Sequence, residues 1–294
     1  MIGANPFKYV IVAGSDSHVS SSVNEEFNYT GGHGNIDHSP EIRLSGAGSV
    51  AGEPAVLFGS AGVTGVWAPE NTREAIFDGI ARKETFGTSG PMIRVRFFGG
   101  WDYSDKLVND KKFVEKAYKG GVPMGGDLPP KPKRAKAPTF AVWALKDPDS
   151  GNLDRVQIIK GWYDQRGYGF QKIYDVVWSD DREPGENGKL PPVGNTVDIN
   201  KATYSNSIGD NELSAVWTDP DFDPSQHAVY YARVIEIPTP RWSTYDAALL
   251  GVEPPAEVPA TIQERAWASP IWYTPEPELV KKLDFYPGLQ ERLP

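Results

Sequence analysis

The chain has 294 residues, no cysteine and a net charge of −9. It is long enough for a sizeable core, and the lack of cysteine excludes disulfides, a cysteine nucleophile and cysteine-ligated zinc. The acidic balance disfavours binding of nucleic acid, which requires positive charge against phosphates. No stretch approaches the ~18 apolar residues of a membrane span, and the N-terminus lacks the pattern of a signal peptide. We therefore expect a soluble protein with no membrane span and no nucleic-acid partner, in a compartment that the sequence does not indicate.

The first predicted element is a strand over residues 7–13. This apolar run shows no alternation, which favours a strand covered on both faces, as in a parallel sheet or a barrel. It ends in the turn Gly14-Ser15-Asp16-Ser17-His18. Residues 19–65 are rich in Ser, Gly and Asn and have no clear period, so they indicate a long loop of the kind that is usually functional or mobile.

A helix is predicted from about residue 71, capped by Asn71 or Thr72. Its apolar stripe consists of Ala75, Ile76, Ile80 and Ala81. Glycines and a proline over residues 87–91 end it, and we place a domain boundary at residues 87–90.

The rest of the chain is predicted to be mainly strand, with one short helix over residues 111–118. The 30 glycines, 26 prolines and nine tryptophans indicate many turns and short strands. Such strands with regular turn punctuation are typical of an antiparallel β-sandwich. The predicted strands are residues 92–98, 139–145, 153–161, 172–178, 212–218, 228–237 and 266–273.

Asp16 and His18 are the first candidate functional residues. Their spacing puts both side chains on one side of an extended segment. A carboxylate and an imidazole together suit zinc, manganese or iron. From the spacing alone, the commoner interpretation is an ordinary hydrogen-bonded Asp–His turn.

The long loop that follows holds further polar candidates. His33 and His38 could approach Asp16 and His18, although a loop histidine is more often simply exposed to solvent. Glu25, Glu26 and Asp37 could add carboxylates, or could be solvated in the usual way.

Five stretches of the chain resemble a bacterial family of unknown function in the polymerase-and-histidinol-phosphatase (PHP) superfamily, near its carbaryl-hydrolase-like branch. The GSDSH turn is similar to the last metal-binding motif of that superfamily, and the other four stretches extend the resemblance over most of the chain. The stretches are GSDSH (14–18), ENTREAIFDGIARKETFGTSGP (70–91), GVPMGGDLP (121–129), VWALKDP (142–148) and ERAWASPIWY (264–273).

The resemblance implies a metal-dependent hydrolase with a distorted (β/α)7 barrel. Asp16 and His18 would be two ligands of a di- or trinuclear site, and a metal-bound hydroxide would attack a phosphoester, ester or carbamate in a small molecule. The expected fold is α+β: residues 1–90 form the C-terminal remnant of the barrel with its closing helix, residues 91–275 form the β-sandwich, and residues 276–294 form a tail.

One departure from the family limits this interpretation. Such barrels begin with a His-x-His strand, but this chain has only four histidines and none forms that motif. We therefore expect the C-terminal half of a family member, incomplete and inactive alone. It would need the missing barrel half, or self-association through residues 7–18, because an uncovered strand leaves unpaired edges. The alternative is a non-catalytic β-sandwich module with a binding or structural role.

Overall fold

The computed structural model describes residues 8–20, 23–34, 36–46, 49–50, 52–164, 167–186 and 188–276. Phe7 and most of the predicted tail lie outside these ranges. The helices are α1 (Pro40–Ser45), α2 (Arg73–Ala81), α3 (Phe113–Gly120) and α4 (Trp242–Leu250). None of these described helices has the length and apolar character needed to cross a bilayer.

Most of the regular structure is strand. The strands are β1 (Ser49–Val50), β2 (Glu53–Pro54), β3 (Val63–Val66), β4 (Thr85–Thr88), β5 (Arg94–Gly100), β6 (Gly121–Pro123), β7 (Thr139–Leu145), β8 (Leu153–Tyr163), β9 (Gly169–Trp178), β10 (Glu212–Thr218), β11 (Ala228–Glu236), β12 (Thr239–Pro240), β13 (Thr261–Ile262), β14 (Arg265–Ala268) and β15 (Ile271–Tyr273).

Two antiparallel sheets form the body of the molecule. One has four strands in the order β10-β7-β5-β6, and the other has seven, in the order β3-β4-β14-β11-β8-β9 with β15 beside β11. Phe97 and Phe140 from the first sheet and Ile158 and Tyr230 from the second bury their side chains in one shared core. Along β11, alternation sends every second side chain into this core, as its buried and half-buried residues show.

The prediction of a barrel remnant is wrong. Every pair of described strands is antiparallel, and the only parallel pairing found among the described residues is the isolated bridge between Asp127 and Trp272. No closed barrel forms in the described part of the chain. The predicted mainly antiparallel β structure is confirmed. The division at residue 90 stays a prediction, although β3 and β4 join β14 in one sheet and so bring together strands from both sides of it.

The N-terminal run is not the buried strand that we predicted. Residues 8–14 have no regular secondary structure and lie extended across the outer face of β3, β4 and β14, with Tyr9 and Val12 exposed. The apolar run without alternation wrongly predicted a strand paired on both sides. In the fold, hydroxyl side chains of the sheet bind this backbone, and no neighbouring strand pairs with it among the described residues. Whether residues 7–18 mediate self-association stays a prediction.

Three hydroxyl side chains dock this segment. The Ile11 N–H donates to Ser269 Oγ at 2.9 Å, and Thr85 Oγ1 donates to the Ile11 carbonyl at 2.8 Å. Thr64 Oγ1 accepts from the Ala13 N–H at 2.8 Å and donates back to the Ala13 carbonyl at 2.7 Å. Gly87 makes the close approach possible, because a Cβ there would lie 3.0 Å from Ala13 Cβ.

Thr85→Val is expected to loosen the docked segment without unfolding the sheets. Valine keeps the shape of the buried threonine but leaves the Ile11 carbonyl without its donor, which costs about 1–2 kcal/mol locally. Hydrogen exchange of the Ile11 and Ala13 amides should quicken by about fivefold or more. Thr218→Val, at the exposed end of β10, is the control. Unchanged exchange in Thr85→Val would show that these hydroxyls do not hold the segment.

Helix α2 confirms the predicted start near residue 71. Thr72 caps the helix, since its side chain accepts from the Ala75 N–H. The apolar stripe is only partly used, because Ala75 is buried whereas Ile80 is exposed. The predicted long loop over residues 19–65 contains α1, β1, β2 and the first residues of β3.

Candidate functional site

The turn that carries Asp16 and His18 leaves the sheet surface where the docked segment ends. Asp16 has a φ of 50°, in the left-handed region that asparagine and aspartate tolerate best among residues with a Cβ. The Ser17 N–H donates to Ser15 Oγ at 3.0 Å, and the His18 N–H donates to the Gly32 carbonyl at 2.8 Å. The turn is therefore fixed to the following loop at Gly32.

Asp37 organises that loop. Its carboxylate accepts from the Gly32 N–H at 2.7 Å and from the His33 N–H at 2.9 Å. Asp37 is buried, so it is neither a solvated loop residue nor an available ligand. Gly31 is required beside it, because its φ is +82° and a Cβ would lie 2.5 Å from the Asp37 carbonyl oxygen.

The structure brings Asp16, His18 and His33 together. His18 Nε2 lies 3.8 Å from Asp16 Oδ1, and the His18 and His33 ring centroids are 4.3 Å apart. His33 Nδ1 is buried and has no hydrogen-bond partner among the described residues. His38 is exposed, and no described contact joins it to the other three.

The donors fit one side of a metal site, but not a complete one. Asp16 is fully exposed and the His18 side chain is 64% exposed, so both are accessible, and carboxylate and imidazole are suitable ligand types. However, no group of three or more His, Cys, Asp or Glu side chains within the described ranges is arranged to hold a metal ion.

A buried ion pair anchors this region to α4. The Arg43 guanidinium makes a bidentate contact with Asp246, at 2.8 and 3.0 Å, and lies over the rings of Tyr29 and Trp242. Burial, followed by the nearby Asp37 charge, raises the pKa of Tyr29 to about 12. Sequence reasoning missed this pair, because residue spacing gives no sign that Arg43 and Asp246 meet.

Sequence reasoning also missed an acidic cleft beside the loop. It is an open space of about 530 Å³ lined by Glu26, Glu264, Met92, Tyr204 and Tyr245 among others. Glu26 accepts from Ser60 Oγ at 2.7 Å and from the Trp242 N–H at 2.5 Å. Glu264 lies within a stretch that carried the family resemblance, but nothing in its local pattern distinguishes a buried glutamate from a solvated one.

The chain is thus a protein of two packed antiparallel sheets that carries an exposed Asp–His turn. Residues 1–275 match the family described as "Protein of unknown function (DUF3604)", and the chain belongs to that family. No curated protein and no solved structure matches it.

Proposed function

We propose that this chain supplies part of the metal centre of a PHP-like metal-dependent hydrolase and is inactive alone. Asp16 and His18 would be ligands of a divalent zinc, manganese or iron ion. One observation carries the proposal. The separation of 3.8 Å between His18 Nε2 and Asp16 Oδ1 is too long for a hydrogen bond. In an ordinary Asp–His turn the two side chains would be hydrogen-bonded to each other, whereas here both are available as metal ligands.

The neighbouring residues support this role. The His18 N–H bond to Gly32, together with the Asp37 bonds to the same loop, holds the His18 and His33 rings side by side. The Asp16 carboxylate and the His18 imidazole, exposed outside the sheet core, can meet a metal ion without rearrangement of the body. When bound, the metal would act as a Lewis acid and activate water towards a phosphoester, ester or carbamate of a small molecule.

The remaining ligands of such a centre must come from elsewhere than the described residues of this chain, because no group of three donors is arranged there. Another chain, or a longer polypeptide, would provide them. Asp16 and His18 would then orient a shared metal, whereas the two sheets would hold the turn in place. We therefore expect weak metal binding and no turnover by the chain alone.

Removal of the His18 imidazole is expected to weaken Zn²⁺ or Co²⁺ binding by at least about tenfold. Isothermal titration of the unaltered chain, Asp16→Asn, His18→Ala and His38→Ala would test this. His38→Ala is the matched control, since it removes an exposed histidine of the same loop and should bind as the unaltered chain does. Equal affinity in His18→Ala and the unaltered chain would refute the proposed ligand.

A second candidate function is a non-catalytic binding module. The observation in its favour is the edge strand β9, where Ile173 and Phe170, which stacks on Trp162 of β8, are exposed. Edge strands with exposed apolar side chains readily pair with other chains. Hydrolysis of a phosphoester by the chain with added Mn²⁺ or Zn²⁺, lost in His18→Ala, would defeat this alternative.

A further inference from the structure

Glu264 lines the acidic cleft defined above, Glu236 lies next to it, and the fold leaves both carboxyl groups partly unsatisfied. Glu264 is 2% exposed; its Oε2 accepts from Ser89 Oγ, but its Oε1 is buried and has no hydrogen-bond partner in the described part of the chain. Glu236, whose backbone N–H donates to the Glu264 carbonyl, is fully buried. Its Oε2 accepts from Ser150 Oγ at 2.7 Å and its Oε1 also lacks a described partner.

No described lysine or arginine forms an ion pair with either carboxyl group. Arg241 instead donates to the Val56 and Phe58 carbonyls and to Ser243, and burial lowers its pKa against the opposing effect of the nearby Glu26. Buried carboxyl groups are normally paired or fully hydrogen-bonded, because an unsatisfied one is costly. A cationic hydrogen-bond donor bound in the cleft would satisfy the unpartnered oxygen of Glu264.

The rest of the lining limits what that donor can be. Tyr204 and Tyr245 form part of the wall with Phe27 and Met92, and Asp147 and Asp149 add further negative charge. Aromatic faces together with carboxylates are the surroundings in which proteins hold organic ammonium groups. A bare metal ion fits less well, because no group of three ligand side chains among the described residues is arranged for one.

We propose that this cleft binds a small primary alkylammonium compound, with its N–H groups on Glu264 and Glu26 and its carbon chain against Tyr204 and Tyr245. A primary ammonium is preferred to a quaternary one, because the free Oε1 of Glu264 requires an N–H donor. The proposal is independent of the Asp16–His18 turn, so either can fail without the other.

Binding should become tighter as pH rises. Burial, followed by the charge of Glu26, raises the pKa of Glu264 to about 8, against the opposing effects of Ser89 and Arg265. Asp147 and Asp149 line the same cleft, and burial also raises the pKa of Glu236, which lies next to Glu264. The ammonium ion needs the ionised carboxylate, so binding near neutral pH releases a proton, and affinity should rise at least about tenfold from pH 6.5 to 8.5.

Calorimetric titration with n-butylammonium at pH 8.5 tests the site. The unaltered chain should bind it, whereas butanol should not bind and tetramethylammonium should bind more weakly. Glu264→Gln should weaken binding at least about tenfold, whereas Glu257→Gln, an exposed glutamate outside the cleft, should not change it.

Three results would overturn the proposal: no butylammonium binding by the unaltered chain, equal binding of butanol, or equal affinity in Glu264→Gln. Saturable Ca²⁺ binding that Glu264→Gln abolishes would also overturn it, in favour of a metal site. Should Glu264→Gln fail to fold, the proton release on butylammonium binding, measured in buffers of different ionisation enthalpy, decides the matter in the unaltered chain. Binding without proton release at pH 7 would contradict the role of Glu264.

Discussion

Lys160→Met is expected to lower the free energy of unfolding by about 3–5 kcal/mol, the usual effect of leaving one member of a buried ion pair without its partner. The Lys160 ammonium lies 2.7 Å from Asp219 Oδ2, and both side chains are almost wholly buried. It also donates to the Asp221 carbonyl at 2.6 Å. Methionine retains the packing of the stem but leaves a buried carboxylate without a cation, with only the neutral Tyr230 hydroxyl and Asp221 N–H described as still donating to it.

This pair joins the two sheets. Lys160 belongs to β8 of the seven-stranded sheet, and Asp219 follows β10 of the four-stranded one. The loss should therefore be global and visible as a lower urea midpoint with an unchanged slope.

Lys172→Met is the matched control. Lys172 also pairs with an aspartate, Asp221, but those side chains are 51% and 49% exposed, and an exposed pair contributes about 0–1 kcal/mol. In a double-mutant cycle, Lys160→Met combined with Asp219→Asn should cost less than the sum of the single changes. Equal losses in Lys160→Met and Lys172→Met would contradict the importance of burial.

Stability is also expected to fall as the pH rises from about 5 to 8. The pKa of Glu264, about 8 when folded, is above its ordinary value, so the folded state keeps a proton that the unfolded state releases. The stabilisation from this proton is complete below the unfolded pKa and is lost as pH rises through the folded pKa. For this group alone the loss is about 3–4 kcal/mol over that window. Burial, with the neighbouring Glu264, raises the pKa of Glu236 in the same direction.

Urea unfolding at pH 5, 6, 7 and 8 measures this slope. Glu264→Gln should remove a large part of it, because the amide stays neutral throughout, and a further change of Glu236 to Gln should remove more. Glu257→Gln should follow the unaltered chain. If Glu264→Gln kept the full slope, Glu264 would not be the group that titrates.

Local pattern was sufficient to predict most strands of the body. Strands β7 and β10 have the predicted bounds, because in these strands the turn residues at each end and the β-branched and aromatic content agree. Helix α2 was predictable from its Thr72 cap. The predicted last strand, in contrast, is divided into β14 and β15 around Ser269-Pro270, where the proline cannot donate to a ladder.

Long-range contacts account for what sequence reasoning missed. Nothing near residues 8–14 indicates that Thr64, Thr85 and Ser269 will hold their backbone. The glycines and proline over residues 87–91 predict the end of a helix where β4 forms, whereas in the fold Gly87 makes room for the docked segment. Residue type likewise cannot distinguish buried carboxyl groups such as Glu264 from solvated ones, because their burial depends on the packing of distant elements.

The sequence predicts the approach of His33 to His18 only as one of several arrangements that the long loop could adopt. This approach depends on the Asp37 hydrogen bonds to residues 32 and 33 and on the left-handed Gly31, which together turn the loop back towards the Asp–His turn. The metal-binding role of these residues stays a prediction.

The most direct test of that role is anomalous diffraction from crystals soaked with Zn²⁺, collected above and below the zinc absorption edge. The account predicts a zinc peak beside the Asp16 carboxylate and the His18 imidazole that is absent from crystals of His18→Ala. Zinc peaks only at other sites, or a peak at this turn that persists in His18→Ala, would contradict it.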